Sequence, residues 1–388
     1  MKAIVCGAGI AGLTVAGELA RAGWHVTVLE SSPKRREQGY MIDFFGPGFA
    51  AAQAMGLLPR LRELAYDIDQ VSFVDDRGRA RTIGYEIFAA SQDGELMSIM
   101  RPDLELALLE SLPGNVTVRF GSEVTGFTQR DDGVDVVVAD ESTESCDILV
   151  GADGIHSRIR RELFGDENQF LRQLGFHTCA YIFDDRELYE DIGKQWLLTD
   201  TLHRMMGLYA LRGGRVAAFG THRVDDPALP ADTRAAAREA YAGIGPLTDR
   251  ALDRCPEPAE LYYDQVAQVE LPNWSSGRVV LVGDACQAVS LLAGQGASLA
   301  VAGGRLLASE LLSASTPADA FANYESRWRP VVEDKQAAGR RAAASFVPTT
   351  RLAIVLRRIA LRVLNWPLVG KLVTSRIIGG KQAASASD

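Results

Sequence analysis

The stretch Lys2-Ala-Ile-Val-Cys-Gly-Ala-Gly-Ile-Ala-Gly12 begins with an apolar run and ends with three glycines in six positions. The run Lys2 to Cys6 predicts a strand, a helix is expected from about Ala11 to Ala22, and a second strand from Trp24 to Glu30. A glycine turn between a strand and a helix, with an acid closing the next strand, is typical of a dinucleotide-binding β-α-β unit. The sequence therefore predicts a Rossmann-type α/β domain here.

Each residue type in this turn suits a nucleotide. Gly7 permits the tight turn, Gly9 lets the backbone approach a pyrophosphate, and Gly12 lets the helix pack on the sheet. The helix N-terminus supplies partial positive charge, and Glu30 is expected to accept hydrogen bonds from a ribose diol. The alternative is a glycine-rich turn that binds nothing. The candidate contacts in this unit are Gly7, Gly9, Ala11, Gly12 and Glu30.

Two later segments repeat the pattern of a buried strand that ends in Gly and Asp. They are Asp147 to Val150 and Arg278 to Val282. Short apolar runs of this kind are typical of parallel strands that are covered on both faces. One sheet assembled from distant parts of the chain is expected.

Other segments favour a second, sheet-rich domain of antiparallel strands inserted into the first. A hairpin is predicted at Arg212-Gly213-Gly214, because glycines tolerate the backbone of a tight turn. The predicted strands are Gln70–Val74, Arg79–Ile83, Gly175–Phe183, Gln195–Thr199, Arg204–Leu211 and Arg215–His222.

Composition excludes several classes of protein. The chain has 388 residues, 47% of them apolar, and a net charge of −9, which disfavours binding to a nucleic-acid backbone. It has no apolar run of about 18 residues, so no transmembrane span is expected. The five cysteines show no metal-ligand spacing and are expected to be reduced core thiols in a cytoplasmic protein, and no metal site is predicted.

The last part of the chain is basic. From Gln336 onward it carries nine Lys or Arg residues and one acid, Asp388, which leaves the preceding residues at −17. A helical pattern follows Ala318, and Arg351 to Arg376 alternates apolar pairs with basic residues, broken at Pro367 and Gly370. Three interpretations stay open: a helix packed on its own acidic body, which we favour, one that lies on an anionic membrane, and one that binds an acidic partner.

Three motifs in order carry a resemblance to a known family. Asp147-Ile-Leu-Val-Gly-Ala-Asp-Gly-Ile-His-Ser-Arg158 and Gly277-Arg-Val-Val-Leu-Val-Gly-Asp-Ala285, with Gly294-Gln-Gly-Ala297 after them, resemble the Asp-Gly and Gly-Asp motifs of group A FAD-dependent monooxygenases. These are the para-hydroxybenzoate-hydroxylase-like enzymes, and they include the tetracycline-inactivating and polyketide-hydroxylating members.

The resemblance implies a Rossmann-type FAD-binding domain, an inserted mixed or antiparallel-sheet substrate domain and a C-terminal helix. The expected boundaries are 1–69, 96–172 and 262–330 for the FAD-binding domain, 70–95 and 173–261 for the substrate domain, and 331–388 for the C-terminal segment.

The resemblance also implies roles for cofactor-binding residues. Asp284 would accept from a ribityl hydroxyl or, alternatively, only cap its turn. Asp153 would contact flavin and nicotinamide, with a helix N-cap as the alternative. Arg101 and Arg36 would offer donors to the cofactor, the alternative being solvated surface charges. Backbone N–H groups near the next helix would face the flavin pyrimidine, at Gly294, Gln295, Gly296 and Ala297.

The substrate side is predicted from the segment Tyr40 to Gly46, which resembles the one that passes over the flavin, and from polar and aromatic residues of the inserted sheet. The alternative for each is ordinary core packing. Relatives commonly carry a proline where this chain has Leu291, and the loss of that rigid residue reshapes the wall beside the flavin. The candidate substrate residues are Met41, Asp43, Phe45, His203, Arg204, Met206, Tyr209, Phe219, His222, Leu291 and Leu292.

The implied activity is hydroxylation of an aromatic or polyketide-like small molecule by O2 through a flavin C4a-hydroperoxide, with NADPH or NADH as a transient reductant and no obligatory catalytic residue. The alternatives are an FAD oxidase, a reductase, a Baeyer-Villiger enzyme on a polycyclic substrate, and a flavin-stabilised binding protein without turnover. A monomer or weak dimer is expected.

Overall fold

The computed structural model describes residues 1–75, 78–85 and 95–364, with side chains as far as residue 360. The helices are α1 (Ile10–Arg21), α2 (Pro47–Ala54), α3 (Leu58–Leu64), α4 (Arg101–Glu110), α5 (Arg158–Phe164), α6 (Arg186–Ile192), α7 (Thr233–Tyr241), α8 (Pro246–Asp253), α9 (Asp284–Gln287), α10 (Gly296–Ser313), α11 (Pro317–Ser345) and α12 (Arg351–Leu364).

The strands form four sheets. They are β1 (Lys2–Cys6), β2 (His25–Glu30), β3 (Met41–Phe44), β4 (Ala65–Tyr66), β5 (Gln70–Val74), β6 (Ala80–Gly84), β7 (Met97–Met100), β8 (Val116–Phe120), β9 (Val124–Gln129), β10 (Val134–Val138), β11 (Thr143–Cys146), β12 (Ile148–Gly151), β13 (Leu171–Asp184), β14 (Gln195–Thr201), β15 (Arg204–Leu211), β16 (Arg215–Arg223), β17 (Tyr262–Val269), β18 (Ser275–Ser276) and β19 (Val279–Leu281).

A six-stranded, mainly parallel sheet joins the three predicted apolar strands. Its order is β18-β19-β12-β1-β2-β8, and β1 pairs in parallel with both β12 and β2. Ile4, Leu149 and Val280 are fully buried, as expected for strands covered on both faces. The prediction of one sheet built from distant segments is confirmed, and the Rossmann-type unit at residues 2–30 has the predicted order of elements.

The second large sheet has seven strands in the order β17-β13-β16-β15-β14-β5-β6. The hairpin of β15 and β16 turns at Arg212–Gly214, as predicted. The sheet is mixed, because β14 runs parallel to β5 while its other pairs are antiparallel. The two strands lie far apart in the chain, so no short hairpin dictates their relative direction.

The edge strand β17 differs from the predicted domain boundary, which assigned residues from 262 onward to the FAD-binding domain. Tyr262 to Val269 pairs antiparallel with β13 and therefore belongs to the seven-stranded sheet. The boundary was misplaced because β17 runs directly toward the Gly-Asp motif of the other sheet, with no Gly- or Pro-rich linker of more than a few residues between them.

The C-terminal helices pack on the body of the protein. α11 runs unbroken through the predicted boundary at residue 330. In α12 the Arg357 guanidinium donates to Asp200 at 2.9 Å, while Arg81 donates to the Arg358 carbonyl oxygen at 3.2 Å. The described part of the basic segment thus contacts its own chain, although Leu352 and Leu356 are exposed. The predicted breaks at Pro367 and Gly370 lie outside the described residues.

Among the described residues, no helix is both long and apolar enough to cross a membrane, and no cluster of metal-ligating side chains occurs. The five cysteines all lie in described segments, where they are buried and unpaired.

Candidate active site

The three glycine turns meet at the carboxyl end of the parallel sheet. Gly7 has a φ of +109°, and a Cβ added to it would lie 2.4 Å from the Ala152 carbonyl oxygen. Gly283 has a φ of +64°, and its added Cβ would lie 2.6 Å from the Cβ of Ala11. Because a side chain at either position would be strained and would collide with the neighbouring turn, these glycines let the turns pack directly together.

The helix α1 begins in this cluster without a side-chain cap. Its N-cap is Gly9, which offers no side-chain acceptor to the N–H groups of the first turn. Ile10, Ala11 and Gly12 are buried. An uncapped helix start of this kind presents orphan donors and partial positive charge to an anion, which suits a pyrophosphate.

Glu30 ends β2 beside the same turn. Its carboxylate accepts from the backbone N–H of Ala8 and of Ser32, each at 2.9 Å. These two bonds orient the side chain and leave lone pairs that can accept from vicinal hydroxyls. The predicted ribose acceptor is therefore held in place by the backbone around it.

A cavity of about 400 Å³ opens in front of the glycine turn and Glu30. It brings together several of the cofactor residues predicted from the sequence, and cationic side chains are frequent in its wall. The predicted residues that line it are Gly7, Gly9, Glu30, Arg36, Arg101 and Asp153, and the cations that sequence reasoning passed over are Lys34, Arg35, His156, Arg158 and Arg161.

The arginines differ in how firmly they are held. Arg101 opens α4, and its guanidinium lies 2.9 Å from Glu105, which raises its pKa. Arg36 is exposed, whereas Arg35 donates to the Pro102 carbonyl oxygen at 3.1 Å. Arg35 is thus the better anchored of the two, and nothing in the run Lys34 to Arg36 reveals which side chain turns inward.

Asp153 lines the cavity and also organises α5. Its carboxylate accepts from the Ser157 hydroxyl at 2.5 Å and from the Ile159 N–H at 3.0 Å. Ser157 itself is the N-cap of α5. Burial raises the pKa of Asp153, and the Ser157 bond opposes that rise. Asp153 therefore lines the cavity and supports the start of α5 at the same time.

Asp284 starts α9 and keeps solvent-accessible surface, as a residue in an open cleft does. The surrounding protein nevertheless raises its pKa by desolvation, while Arg101 lowers it. Burial likewise raises the pKa of Tyr40 to about 12, against the lowering effect of Arg101. Asp284, Arg101 and Tyr40 therefore act on one another electrostatically, although Asp284 does not line the 400 Å³ cavity.

The segment Gly294–Ala297 leads into α10. Gly294 has the left-handed φ of +65°, and an added Cβ at Gly294 or Gly296 would meet nothing within 4 Å. The N-cap Gln295 makes no side-chain capping bond. The start of α10 is thus a second helix N-terminus whose donors have no side-chain acceptor.

One face of the seven-stranded sheet turns toward the β3 and Leu291 segments. We call it the inner face. It carries Tyr209 and Phe219, which cluster with Met41 and Leu291, and the Tyr209 hydroxyl accepts from the Met41 N–H at 2.7 Å. Trp196 stacks on Tyr209 with ring centroids 5.0 Å apart. Two further aromatic residues border this cluster: Tyr40, which begins the predicted segment, and Tyr262, which the sequence did not single out.

Three predicted substrate residues lie on the opposite, outer face. Met206 is fully buried in the core beneath α7 and α8, His222 bonds the Tyr241 hydroxyl at 2.9 Å, and Arg204 donates to the Ala240 carbonyl oxygen. The structure does not bring these three residues to the inner face. Side chains alternate between faces along a strand, so Met206 and Tyr209 in β15 point to opposite sides, and the sequence alone did not fix which face was which.

The other substrate candidates are dispersed. His203 is exposed in the turn before β15, where its N–H donates to the Pro348 carbonyl oxygen, and Leu292 packs on Ala343 and Val347, so the structure does not bring these two to the inner face. The Phe45 carbonyl oxygen accepts from the Ser298 hydroxyl at 2.6 Å.

Asp43 is hydrogen-bonded by two hydroxyl groups. It accepts from the Ser98 hydroxyl at 2.9 Å and from the Tyr85 hydroxyl. Burial raises its pKa, and these two bonds oppose the rise.

His156 joins the two large sheets at the mouth of the cavity. Its Nδ1 lies 3.0 Å from Glu167 and its Nε2 3.3 Å from Asp264 of β17. The hydrogen bond with Asp264, then that with Glu167, raises the pKa of His156 to about 9. The residue stands in the quoted Asp-Gly motif, but its partner Asp264 is distant in sequence.

The donor set fits a dinucleotide such as FAD. The closely packed glycine turns leave room for a pyrophosphate, the uncapped α1 meets its charge, and Glu30 suits a ribose. Arg101, which lines the cavity, acts electrostatically on Asp284, which is exposed outside it.

Comparisons with known proteins agree with this architecture. A family model described as FAD binding domain matches residues 1–337. An uncharacterised protein of Mycobacterium tuberculosis is 33% identical, covering 86% of this chain and 91% of its own length. A flavin-dependent monooxygenase of Legionella longbeachae is 29% identical, covering 89% and 90%. The crystal structure of the tetracycline destructase Tet(51) has a TM-score of 0.81 at 25% identity and covers 98% of this chain and 99% of that one.

Proposed function

Because this chain belongs to the FAD binding domain family and is a group A FAD-dependent monooxygenase, we propose that it consumes NAD(P)H and O2 to hydroxylate an aromatic or polyketide-like small molecule. The observation that carries the substrate class is the aromatic cluster on the inner face of the seven-stranded sheet, where Tyr209 and Phe219 are buried and Tyr40 and Tyr262 remain partly exposed. Aromatic walls of this kind suit flat, ring-bearing ligands.

FAD, when bound, supplies the oxidising power by activating O2, and the chain supplies binding, orientation and exclusion of water. The start of α1 would neutralise the pyrophosphate, and Glu30 would accept from the adenosine ribose. Asp284 and Arg101 would hold the middle of the cofactor, and the start of α10 at Gly296 would place partial positive charge beside the flavin ring. The substrate would then lie between this end of the cleft and the inner face.

The cationic rim of the cavity supports a pyridine nucleotide as the visiting reductant. Lys34, Arg35, Arg36 and Arg158 line the cavity in a chain whose net charge is −9. Local positive charge attracts phosphate-bearing ligands to an otherwise acidic surface.

The name of one structural relative, a tetracycline destructase, supports a polycyclic substrate within this class. The five buried, unpaired thiols support a reducing, cytoplasmic location. A monomer or weak dimer remains our expectation for the assembly.

The test begins with purified holoenzyme mixed with NADPH or NADH in the absence of O2. We expect the visible absorbance of oxidised flavin to disappear faster when a phenolic polyketide is present. If neither nucleotide bleaches the flavin, the proposed reductant is wrong and a non-catalytic binding protein is favoured.

A second arm uses isotopically labelled O2 and mass spectrometry of the product. One labelled oxygen on an aromatic ring is the expected result. Labelled oxygen inserted between two carbons indicates a Baeyer-Villiger enzyme, oxidation or reduction of the substrate without label indicates an oxidase or a reductase, and each of these outcomes contradicts hydroxylation.

A further inference from the structure

The segment between α9 and α10 contains a backbone that an ordinary residue rarely adopts. Ser290 has φ +76° and ψ 149°, and it is followed by Leu291, which packs on the inner-face cluster of Met41, Tyr209 and Phe219. A positive φ in a residue with a Cβ is costly and persists only where surrounding contacts impose it. Something must therefore hold this segment.

Two buried glutamine side chains donate hydrogen bonds to the backbone of the two residues just before Ser290. The Gln336 side-chain amide, on α11, donates to the carbonyl oxygens of Val269 at 2.8 Å and of Ala288 at 3.1 Å. The Gln268 amide, on β17, donates to Val289 at 3.0 Å and to the Gln336 carbonyl oxygen at 2.9 Å. Consecutive carbonyl groups, at Ala288 and Val289, are thus bound from two different elements.

These contacts leave little freedom for adjustment. Gln268 is fully buried and Gln336 is 5% exposed, so water does not readily replace their bonds. The Ala288 carbonyl oxygen also accepts from the Val269 N–H at 3.1 Å, which ties the segment to β17 a second time. α11 approaches the segment closely at Gly339, where an added Cβ would lie 2.8 Å from the Val289 carbonyl oxygen. Arg340 in turn donates to the Gln268 side-chain oxygen at 3.0 Å, which fixes the orientation of that amide.

We propose that Gln336 and Gln268 form a clamp that imposes the Ser290 conformation and thereby positions Leu291 and the start of α10 against the flavin. Both are positioning residues, since they act through the segment and not on the ligand. The inference rests on the proposed placement of the flavin at the start of α10.

The test compares Gln336→Met with Thr178→Val, both as full-length holoenzymes. Met keeps the approximate size of Gln and removes both donors. Thr178 is a matched control, because its buried hydroxyl donates to the Gly220 carbonyl oxygen at 2.9 Å in the seven-stranded sheet, in no contact with the clamp.

The first readout is hydrogen exchange, which does not depend on turnover. The N–H groups of Ala293 and Gly294 bond to the carbonyl oxygens of Ser290 and Leu291, and they are expected to exchange faster in Gln336→Met only. The second is the FAD dissociation constant, expected to rise about tenfold in Gln336→Met if the binding-competent segment falls to roughly a tenth of the population. Thr178→Val is expected to leave both near the wild-type values.

A rescue variant tests the role of the strain. Adding Ser290→Gly to Gln336→Met removes the cost of the positive φ, so most of the lost FAD affinity is expected to return. The proposal is overturned if Gln336→Met matches Thr178→Val in both readouts, if faster exchange leaves FAD affinity unchanged, or if Ser290→Gly restores nothing. None of these outcomes touches the proposed reductant or substrate class, which the bleaching and labelling experiments decide separately.

Discussion

Single side chains at the glycine turns decide how the cofactor is held. Glu30 already accepts two backbone N–H groups, so its carboxylate is oriented before any ligand arrives. No hydrogen bond within the described residues holds the Asp284 carboxylate, whose pKa is raised by desolvation and lowered by Arg101. The two carboxylates are therefore expected to contribute through different means, Glu30 by preorganisation and Asp284 by direct contact.

Replacing either Glu30 or Asp284 by Ala is expected to weaken FAD binding. A lost hydrogen bond to a charged group costs about 1.5 to 3 kcal/mol, which raises the dissociation constant by about 10- to 100-fold. Fluorescence of released FAD on dilution measures this. Glu260→Ala, at an exposed position, is the control. Full cofactor occupancy in both variants at limiting FAD would contradict the assignment.

At this scale the sequence predicted residue types better than side-chain directions. Gly7, Glu30 and Asp153 stand where their motif puts them, because a motif fixes a local backbone path. Arg35 and His156 were missed since their roles depend on Pro102 and Asp264, which are brought near only by the fold.

Among the elements, strands β15 and β16 show that the side of the sheet on which a residue lies determines what it contacts. The sequence predicted both strands and their hairpin, yet it could not say which alternate set of side chains faces the cofactor. The inner-face residue Phe219 and the outer-face residue Met206 are both buried, so burial alone does not distinguish them. Only their placement relative to β3 and α7 does.

Phe219→Leu is therefore expected to raise the KM for an aromatic substrate by about 5- to 10-fold, through loss of aromatic contact worth about 1 kcal/mol. Met206→Leu conserves volume on the outer face and is expected to cost less than about 1.5 kcal/mol of stability with KM unchanged. Steady-state kinetics with urea unfolding checks both. A larger KM effect from Met206→Leu would mean that the faces have been assigned the wrong way round.

The tail helix α12 offers a second test among the elements. Arg357 bonds the poorly exposed Asp200 and the carbonyl oxygens of Ser345 and Phe346. Arg357→Met is expected to weaken the packing of α12 on the rest of the protein by about 1 to 3 kcal/mol, because Asp200 then loses its cationic partner. Limited digestion of the Arg357→Met variant by a protease that cuts at apolar residues is expected to be faster than digestion of the wild type.

Arg351→Met is the control for that experiment, since Arg351 is exposed on the same helix. Equal digestion rates for the two variants would show that the Arg357 contacts contribute nothing to docking.

Across the whole molecule, His156 links the parallel sheet to the seven-stranded sheet through Asp264. Its pKa is raised from 6.5 to about 9, so the protonated form is favoured in the folded protein. A raised pKa gives stability that is fully present below about pH 6.5 and is lost as the pH rises through about 9. The ion pair is partly exposed, so its contribution is modest.

The prediction is that wild type and His156→Gln differ in free energy of unfolding at pH 6.5 and converge above pH 9. Urea unfolding at a series of pH values measures this. A difference that stays constant across the series would show that His156 contributes through packing and not through its charge.

The two large sheets and the C-terminal helices were largely predictable from the sequence, but the boundaries between these parts were not. Composition and three motifs in order indicated two sheets and a C-terminal helical segment. The strand β17 and the helix α11 cross the expected boundaries, because each serves one part of the molecule while leading directly into another. Boundaries of this kind are not visible in the amino-acid composition, because they lack the Gly- and Pro-rich linkers that usually separate domains.

The packing of three turns that are distant in the chain also constrains the order in which this protein folds and binds its cofactor. The turns at Gly7, Ala152 and Gly283 pack together, although Gly7 and Gly283 are more than 270 positions apart in the chain. During synthesis, the nascent chain can fold its opening β-α-β unit early, but the last wall of the cleft emerges from the ribosome only after Gly283 and α10. Cofactor capture is thus a late event, and fragments ending before that point should accumulate as colourless, protease-sensitive intermediates.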